Sequence, residues 1–251
     1  MMNKFIKIDS CGQFSEEYSQ AKPFSHIVLN NIWNQDVLDL ARQEVENFSL
    51  WAGEKSFYGS RKKRFQSNFS DLPPQVKELF YYLNGSEFLK ILEEITGEIG
   101  LISDPYLLGG GIHSTGSGGF LKLHADFNWH QKMKIYRRLN VLIYLNKNWM
   151  SEYGGELELA EMQKNGELQI IKSVHPTFNT TVIFTTDDHS FHGQSVPLNT
   201  PEHIRRNSLA AYYYVAQKPQ GTADVARMST DYRDLSGRQL TGGFPVKNKK
   251  I

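Results

Sequence analysis

The sequence predicts an α+β fold dominated by strands: a double-stranded β-helix, or jelly roll, behind an N-terminal helical annex. Three observations carry that reading. Helical periodicity is confined to roughly the first hundred residues. After residue 105, at least six short strand-like runs alternate with turn residues. No helical period interrupts those runs, which is the pattern of an antiparallel sandwich or barrel whose mouth can hold a ligand. We therefore divide the chain into three segments. Residues 1–100 form a strand and supporting helices, 101–219 the β-helix core, and 220–251 a C-terminal extension able to act as a lid.

The elements follow in order. Residues 1–22 are polar and are expected at the periphery, and Phe24 to Leu29 reads as a short strand. Asn34 is placed to cap a helix running to about Phe48, with Val37, Leu40, Ala41, Val45 and Phe48 at helical spacing. The basic run Arg61-Lys62-Lys63-Arg64 reads first as a solvated loop and second as a contact for an anionic substrate. Pro73-Pro74 opens a second helix that ends at Asn84-Gly85. Ser86 is expected to cap a third, striped by Phe88, Ile91, Leu92 and Ile95 and closed by Gly97. Strands are then expected around His124, from Leu139 to Asn146, after Gly154-Gly155, from Thr181 to Thr185 and from Leu209 to Val215. In the extension, Tyr232-Arg233-Asp234 is expected to pack, and Lys247 to Ile251 to be disordered.

Composition narrows the function classes. The 251 residues carry a net charge of +1, so nothing points to nucleic acid or an anionic membrane as partner. The one cysteine, Cys11, allows neither an internal disulfide nor a cysteine-based zinc site. No apolar run approaches the roughly 18 residues of a membrane-spanning helix, and Met1 to Gly12 lacks a secretory apolar region. The expected compartment is the cytoplasm.

The chemistry gathers on Leu121-Lys122-Leu123-His124-Ala125-Asp126-Phe127. Apolar residues at 121, 123, 125 and 127 give it the period of a strand, so His124 and Asp126 point to one face. An imidazole and a carboxylate side by side supply two ligands of a facial metal site. His192, in Ser190-Phe191-His192-Gly193, is the candidate third ligand. Two histidines and one carboxylate leave coordination positions open, as in non-haem Fe(II) oxygenases. Taken alone, His-x-Asp is a frequent chance pattern on a solvated strand. His189 is the weaker candidate for the third ligand, because it falls on the opposite parity from His192. His130, next to Trp129, is expected at the mouth or on the surface, and His26, His175 and His203 have no assigned partners. Arg206 and Ser208 face the same way at the entry to the last strand, and a guanidinium with a hydroxyl suits a carboxylate.

The ordered set His124-Ala-Asp126, Arg137-Arg138-Leu-Asn-Val-Leu-Ile-Tyr144-Leu-Asn146, Gly154-Gly155, His192-Gly193 and Arg206-Asn-Ser208 resembles the prolyl-4-hydroxylase-like branch of the Fe(II)- and 2-oxoglutarate-dependent dioxygenases. The likeness covers about residues 100–216. It implies His124, Asp126 and His192 as iron ligands. It further implies Arg206, Ser208 and Tyr144 on the distal carboxylate of 2-oxoglutarate, with Asn140 on the same strand face as Tyr144. Where the family often has a tyrosine about ten residues before the first ligand, this chain has His113-Ser114. The implied groups are Fe(II), 2-oxoglutarate as cosubstrate and O2, with ascorbate as an optional addition. The implied reaction is hydroxylation of an unactivated C–H bond with release of succinate and CO2. A small molecule, such as an amino acid or a biosynthetic intermediate, is the first expectation for the substrate. A prolyl residue in a peptide or protein is the second. A non-catalytic metal-binding jelly-roll module is the rival of another class.

Overall fold

A computed structural model of the chain describes residues 4–8, 12–219 and 226–240. In chain order it contains helix α1 (Gly12–Gln20), strand β1 (His26–Asn30), helix α2 (Gln35–Glu46), strands β2 (Gly53–Phe57) and β3 (Ser60–Gln66), helices α3 (Pro74–Leu83) and α4 (Ser86–Thr96) and the short strand β4 (Ile102–Ser103). Then come β5 (Gly111–Ala125), β6 (Trp129–His130), β7 (Ile135–Tyr144), β8 (Leu157–Met162), β9 (Leu168–Val174), β10 (Thr180–Thr185), β11 (Phe191–Gln194), β12 (Arg206–Val215) and β13 (Asp231–Tyr232). Every pairing between these strands is antiparallel. The architecture is β-dominated and is that of a jelly roll.

The fifteen-residue β5 joins the two layers. Its first part, residues 111–115, lies between β3 and β12, in the large layer that continues through β7 and β10 to β1. Its last part, residues 121–125, pairs with β11 on the way to β8 and β9, and with β13. Between the two parts the glycine-rich stretch Gly116-Ser117-Gly118-Gly119 breaks the register with β3. A bend there lets one strand serve both layers.

Alternation on the large layer sorts its two faces. Leu139, Val141 and Ile143 of β7, with Leu209, Ala211 and Tyr213 of β12, face α2, α3 and α4 in one core. Tyr144 of β7, with Val182 and Phe184 of β10, faces the small layer and packs on Leu157 and Leu159 of β8. β10, rich in β-branched residues, is buried throughout. Asn34 caps α2 by accepting from the Asp36 amide, and Gly97 closes α4 at φ 73°. No helix among the described residues is long and apolar enough to cross a membrane.

At the periphery, residues 12–20 form the helix α1, mostly exposed and anchored by the buried Tyr18, whose hydroxyl bonds Thr185. Three expectations need correction. The basic run Arg61–Arg64 is not a loop but the middle of β3, because its backbone completes β-ladders with β2 and β5. Ser86 is the first residue of α4, and the capping position is Gly85, with no side-chain cap. His130 is fully buried, with Nε2 3.4 Å from the Asp104 carboxylate. The expectation for Lys247 to Ile251 falls outside the described residues.

Phe88 ties the annex to the core: its ring lies 5.7 Å from Trp33 and from Tyr82 and 6.3 Å from Tyr213 of β12. Phe88→Ala is expected to destabilise the protein by about 3–5 kcal/mol. Urea unfolding is the measurement, with exposed Tyr81→Ala as control. Equal midpoints for the two variants would show that the annex does not support the core.

Candidate metal centre

The centre is built on one strand register. His124 of β5 stands directly opposite His192 of β11, and their ring centroids are 4.4 Å apart. Directly opposed residues share a face, so both rings enter the space between the layers. Gly193 permits that approach: a Cβ there would lie 2.8 Å from the Leu121 carbonyl oxygen. Asp126 follows β5 by one residue and returns to the same side. Its Oδ1 is 3.6 Å from His124 Nε2, and its Oδ2 is 3.4 Å from His192 Nε2. The three ligand atoms lie within 4.8 Å of one another, and all three residues are buried.

Hydrogen bonds fix which ring nitrogens are free. His124 Nδ1 is 2.8 Å from the Lys122 carbonyl, and His192 Nδ1 is 2.9 Å from the Ser190 carbonyl. A carbonyl can only accept, so each Nδ1 carries the proton and each Nε2 presents a lone pair inward. Burial, and then the neighbouring His192, pull His124 down to about 3. It is therefore unprotonated at neutral pH, as ligation requires. Burial pushes the Asp126 carboxyl up, but Arg137, with His192 and His124, outweighs it and holds the group well below the usual carboxylate range. Adjacent ligand atoms on a divalent ion with bonds of ~2.1 Å are roughly 3 Å apart. The donor set therefore fits a divalent metal bound on one face.

Asp126 is itself held. Arg137 donates to its Oδ2 at 2.8 Å and Asn140 at 2.9 Å, while Arg137 also donates twice to the Asn140 carbonyl oxygen. The buried guanidinium lies 3.5 Å from the Tyr212 ring centroid and 4.6 Å from that of Phe127. Asn140, expected beside the cosubstrate, has its amide nitrogen on Asp126. Strand parity does not foresee Arg137 here, because β7 carries one extra residue, Arg138, against β12 between Tyr213 and Tyr214. That bulge turns Arg137 to the inner face beside Asn140.

Across the cavity stands a second cation. Arg206 of β12 donates to the Gly155 carbonyl at 2.6 Å and to the Tyr144 hydroxyl at 3.1 Å. Gly155 sits at φ 83°, and a Cβ there would lie 3.1 Å from Arg206 Cδ, so a glycine suits this position. Both acceptors are neutral, which leaves the guanidinium charge available to an anion. Ser208 pairs in register with Tyr144 on one side and His113 on the other. His113 Nε2–H donates to the Gly109 carbonyl, and burial holds this imidazole well below its ordinary range. Arg205, the neighbour of Arg206, points elsewhere and holds Ser114 and the Lys62 carbonyl. His189 is exposed.

Two further segments close the cavity. Lys55 of β2 and Lys63 of β3 line its wall. Burial, then Lys55 and Arg206, pull the Lys63 ammonium down to about 7. From the C-terminal segment, Tyr232 pairs with His124 in register, with ring centroids 5.1 Å apart, and Arg227 donates to the carbonyls of Ala125 and Asp126.

Residues 110–214 match the model of the 2OG-Fe(II) oxygenase superfamily. The part of the chain that carries the candidate metal centre is thus similar to that superfamily's domain. Among curated proteins it is similar to a prolyl 3-hydroxylase, OGFOD1, of Xenopus laevis, at 28% identity over 191 residues, 75% of this chain. It also resembles its Mus musculus counterpart, at 33% over 79 residues, 31% of this chain. These matches span 35% and 14% of the relatives' own lengths. In fold it resembles a prolyl hydroxylase of Trichoplax adhaerens in complex with a hypoxia-inducible-factor peptide (TM-score 0.58, 19% identity, 81% of this chain and 88% of that one). HygX of Streptomyces hygroscopicus, with nickel, 2-oxoglutarate and hygromycin B bound, shares the fold at TM-score 0.53 and 12% identity, over 82% and 93% of the chains. The superfamily's Fe(II) suits the donor set of His124, Asp126 and His192, and its 2-oxoglutarate suits the uncompensated guanidinium of Arg206.

Arg137→Lys keeps the charge but loses the planar fork that reaches both Asp126 and Asn140. We expect metal affinity to fall by about 10–100-fold, read by Mn(II) titration. Unchanged affinity would mean that Asp126 needs no second holder.

Proposed function

We propose that this protein is an Fe(II)- and 2-oxoglutarate-dependent dioxygenase that hydroxylates an unactivated C–H bond. One observation carries the reading: a buried facial set of two histidines and a carboxylate shares its cavity with Arg206, a guanidinium that among the described residues is bound only by neutral acceptors. A structural ion needs no such anchor, which argues against a non-catalytic module. When bound, Fe(II) with 2-oxoglutarate and O2 supplies C–H oxidation with release of succinate and CO2.

The chain's residues do the rest. His124, Asp126 and His192 would hold the metal, each ring fixed by its own Nδ1–H bond. Arg206, with the Tyr144 hydroxyl and Ser208, would hold the distal carboxylate of 2-oxoglutarate. Arg137 and Asn140 keep Asp126 ionised and aimed. Leu121, Leu142 and Leu157 add apolar surface to a wall that also carries Lys55, Lys63, Thr115, Gln194 and Thr230.

For the substrate, the geometry favours a small molecule. Tyr232 meets Phe57 and Tyr58 with ring centroids 5.4 and 6.0 Å apart, so the β2–β3 hairpin and the C-terminal segment narrow the entrance. The enclosed part of the cavity measures only ≈ 110 Å³, so space at the reacting position is tight. HygX offers a relative in fold with hygromycin B bound. A prolyl residue is the second reading, favoured by the prolyl 3-hydroxylases among the curated relatives. Succinate release and product mass, measured over a panel of amino acids and prolyl peptides, separate the two. No succinate with any member, even uncoupled, would argue against the dioxygenase itself.

Arg206→Ala should weaken 2-oxoglutarate binding by about 2–5 kcal/mol while Mn(II) binding survives. Isothermal titration tests this, and an unaltered 2-oxoglutarate affinity would move the anchor elsewhere. Asp126 supplies a negative charge where a chloride would otherwise sit, and two anions in a site of low dielectric repel. The product should therefore gain oxygen and never chlorine, even in high chloride. A chlorinated product from the wild-type protein would remove Asp126 from the ligand set.

A further inference from the structure

The β2–β3 hairpin lays a line of cations across the cavity. Strand register sets Lys55 opposite Lys63, Lys63 opposite Thr115, and Thr115 opposite Arg206. Directly opposed residues share a face, so the four side chains form one row toward the interior. All four line the cavity. Lys55 stands at the exposed end of the row and Lys63 is half-buried.

The charges do not balance. Among the described residues, the cavity is lined by Lys55, Lys63, Arg137 and Arg206 against the single carboxylate of Asp126. Asp126 is already paired with Arg137. Arg206 would take the cosubstrate's distal carboxylate on the reading above, on which this inference rests. Among the described residues, neither lysine ammonium makes an ion pair; Lys55 lies 5.4 Å from the Phe65 ring. Within the row, the register places Lys63 between Lys55 and the Thr115–Arg206 pair. A half-buried ammonium without counter-charge, as at Lys63, is unfavourable unless a ligand supplies one, and the exposed Lys55 opposite it adds to the positive field.

We propose that Lys55 and Lys63 form an anion subsite for the primary substrate, which therefore carries a carboxylate or phosphate group. Arg206 and the lysine pair divide the work: one end of the row anchors the cosubstrate, and the other orients the molecule to be oxidised. A neutral substrate would leave the lysine pair uncompensated.

The test uses sulfate as the probe, a simple anion with little affinity for the metal. It is titrated into protein saturated with Mn(II) and 2-oxoglutarate, so that Arg206 is occupied. The expected result is sulfate binding to the wild type that weakens at least about tenfold in Lys63→Gln and in Lys55→Gln. The half-saturation for 2-oxoglutarate should stay within about twofold, and circular dichroism should show the fold unchanged. A second arm compares succinate release with a free amino acid against its amide, and with a glutamate-bearing prolyl peptide against its glutamine analogue. The acid member of the productive pair should stimulate more, and Lys63→Gln should close the gap. Which pair responds tells a small acid from an acidic peptide. Three results would overturn the proposal: no sulfate binding once 2-oxoglutarate saturates, equal stimulation by acid and neutral partners, or a tenfold rise in the 2-oxoglutarate requirement of Lys63→Gln. The last would assign the whole row to the cosubstrate. Sulfate binding intact without 2-oxoglutarate turnover would count against the dioxygenase reading and leave the anion subsite standing.

Discussion

The structure depends on a single register, the one that sets His124 against His192 across β5 and β11. A slip of one residue in either strand would send one imidazole to the opposite face and dissolve the site. The flanking pairings lock it. β8 holds the far side of β11, β13 holds the far side of β5, and Gly193 lets the two ligand strands approach. Backbone carbonyls two residues upstream then set each ring. Ligand geometry here is a property of backbone pairing, and the side chains have little freedom left.

Burying an arginine beside the metal carboxylate is the costliest choice in the core. An isolated buried guanidinium would be strongly destabilising. Here Asp126, the Asn140 carbonyl oxygen and the faces of Tyr212 and Phe127 surround it. Removing one member would leave another buried charge uncompensated, so the cluster is best viewed as one unit with its carboxylate turned toward the metal. Arg206 is arranged differently: it is oriented by neutral acceptors, which keeps its charge available for an incoming anion.

What could be read from the sequence follows from which physical rules are local. The period of two puts His124 and Asp126 on one side, and the structure brings them together with the distant His192. The caps at Asn34 and Gly97 are legible because capping is chemistry within one turn. Arg137 is not legible, since its direction depends on the extra residue Arg138 in a ladder with β12. β3 is hidden for another reason. Its charged residues satisfy the pattern of a solvated loop, and only pairing with β2 and β5 makes them a strand. Helix α1 has a weak apolar stripe, and Tyr18 anchors it from a distance.

The C-terminal segment bears on the order in which the site can form. Arg227 bonds the carbonyls of Ala125 and Asp126, and Tyr232 lies against His124. These contacts come from residues far downstream of the first ligand. During synthesis the ligand strand therefore emerges long before its outer edge is covered, and until then its free backbone groups are open to stray pairing. The complete geometry becomes available only after residue 232 has left the ribosome.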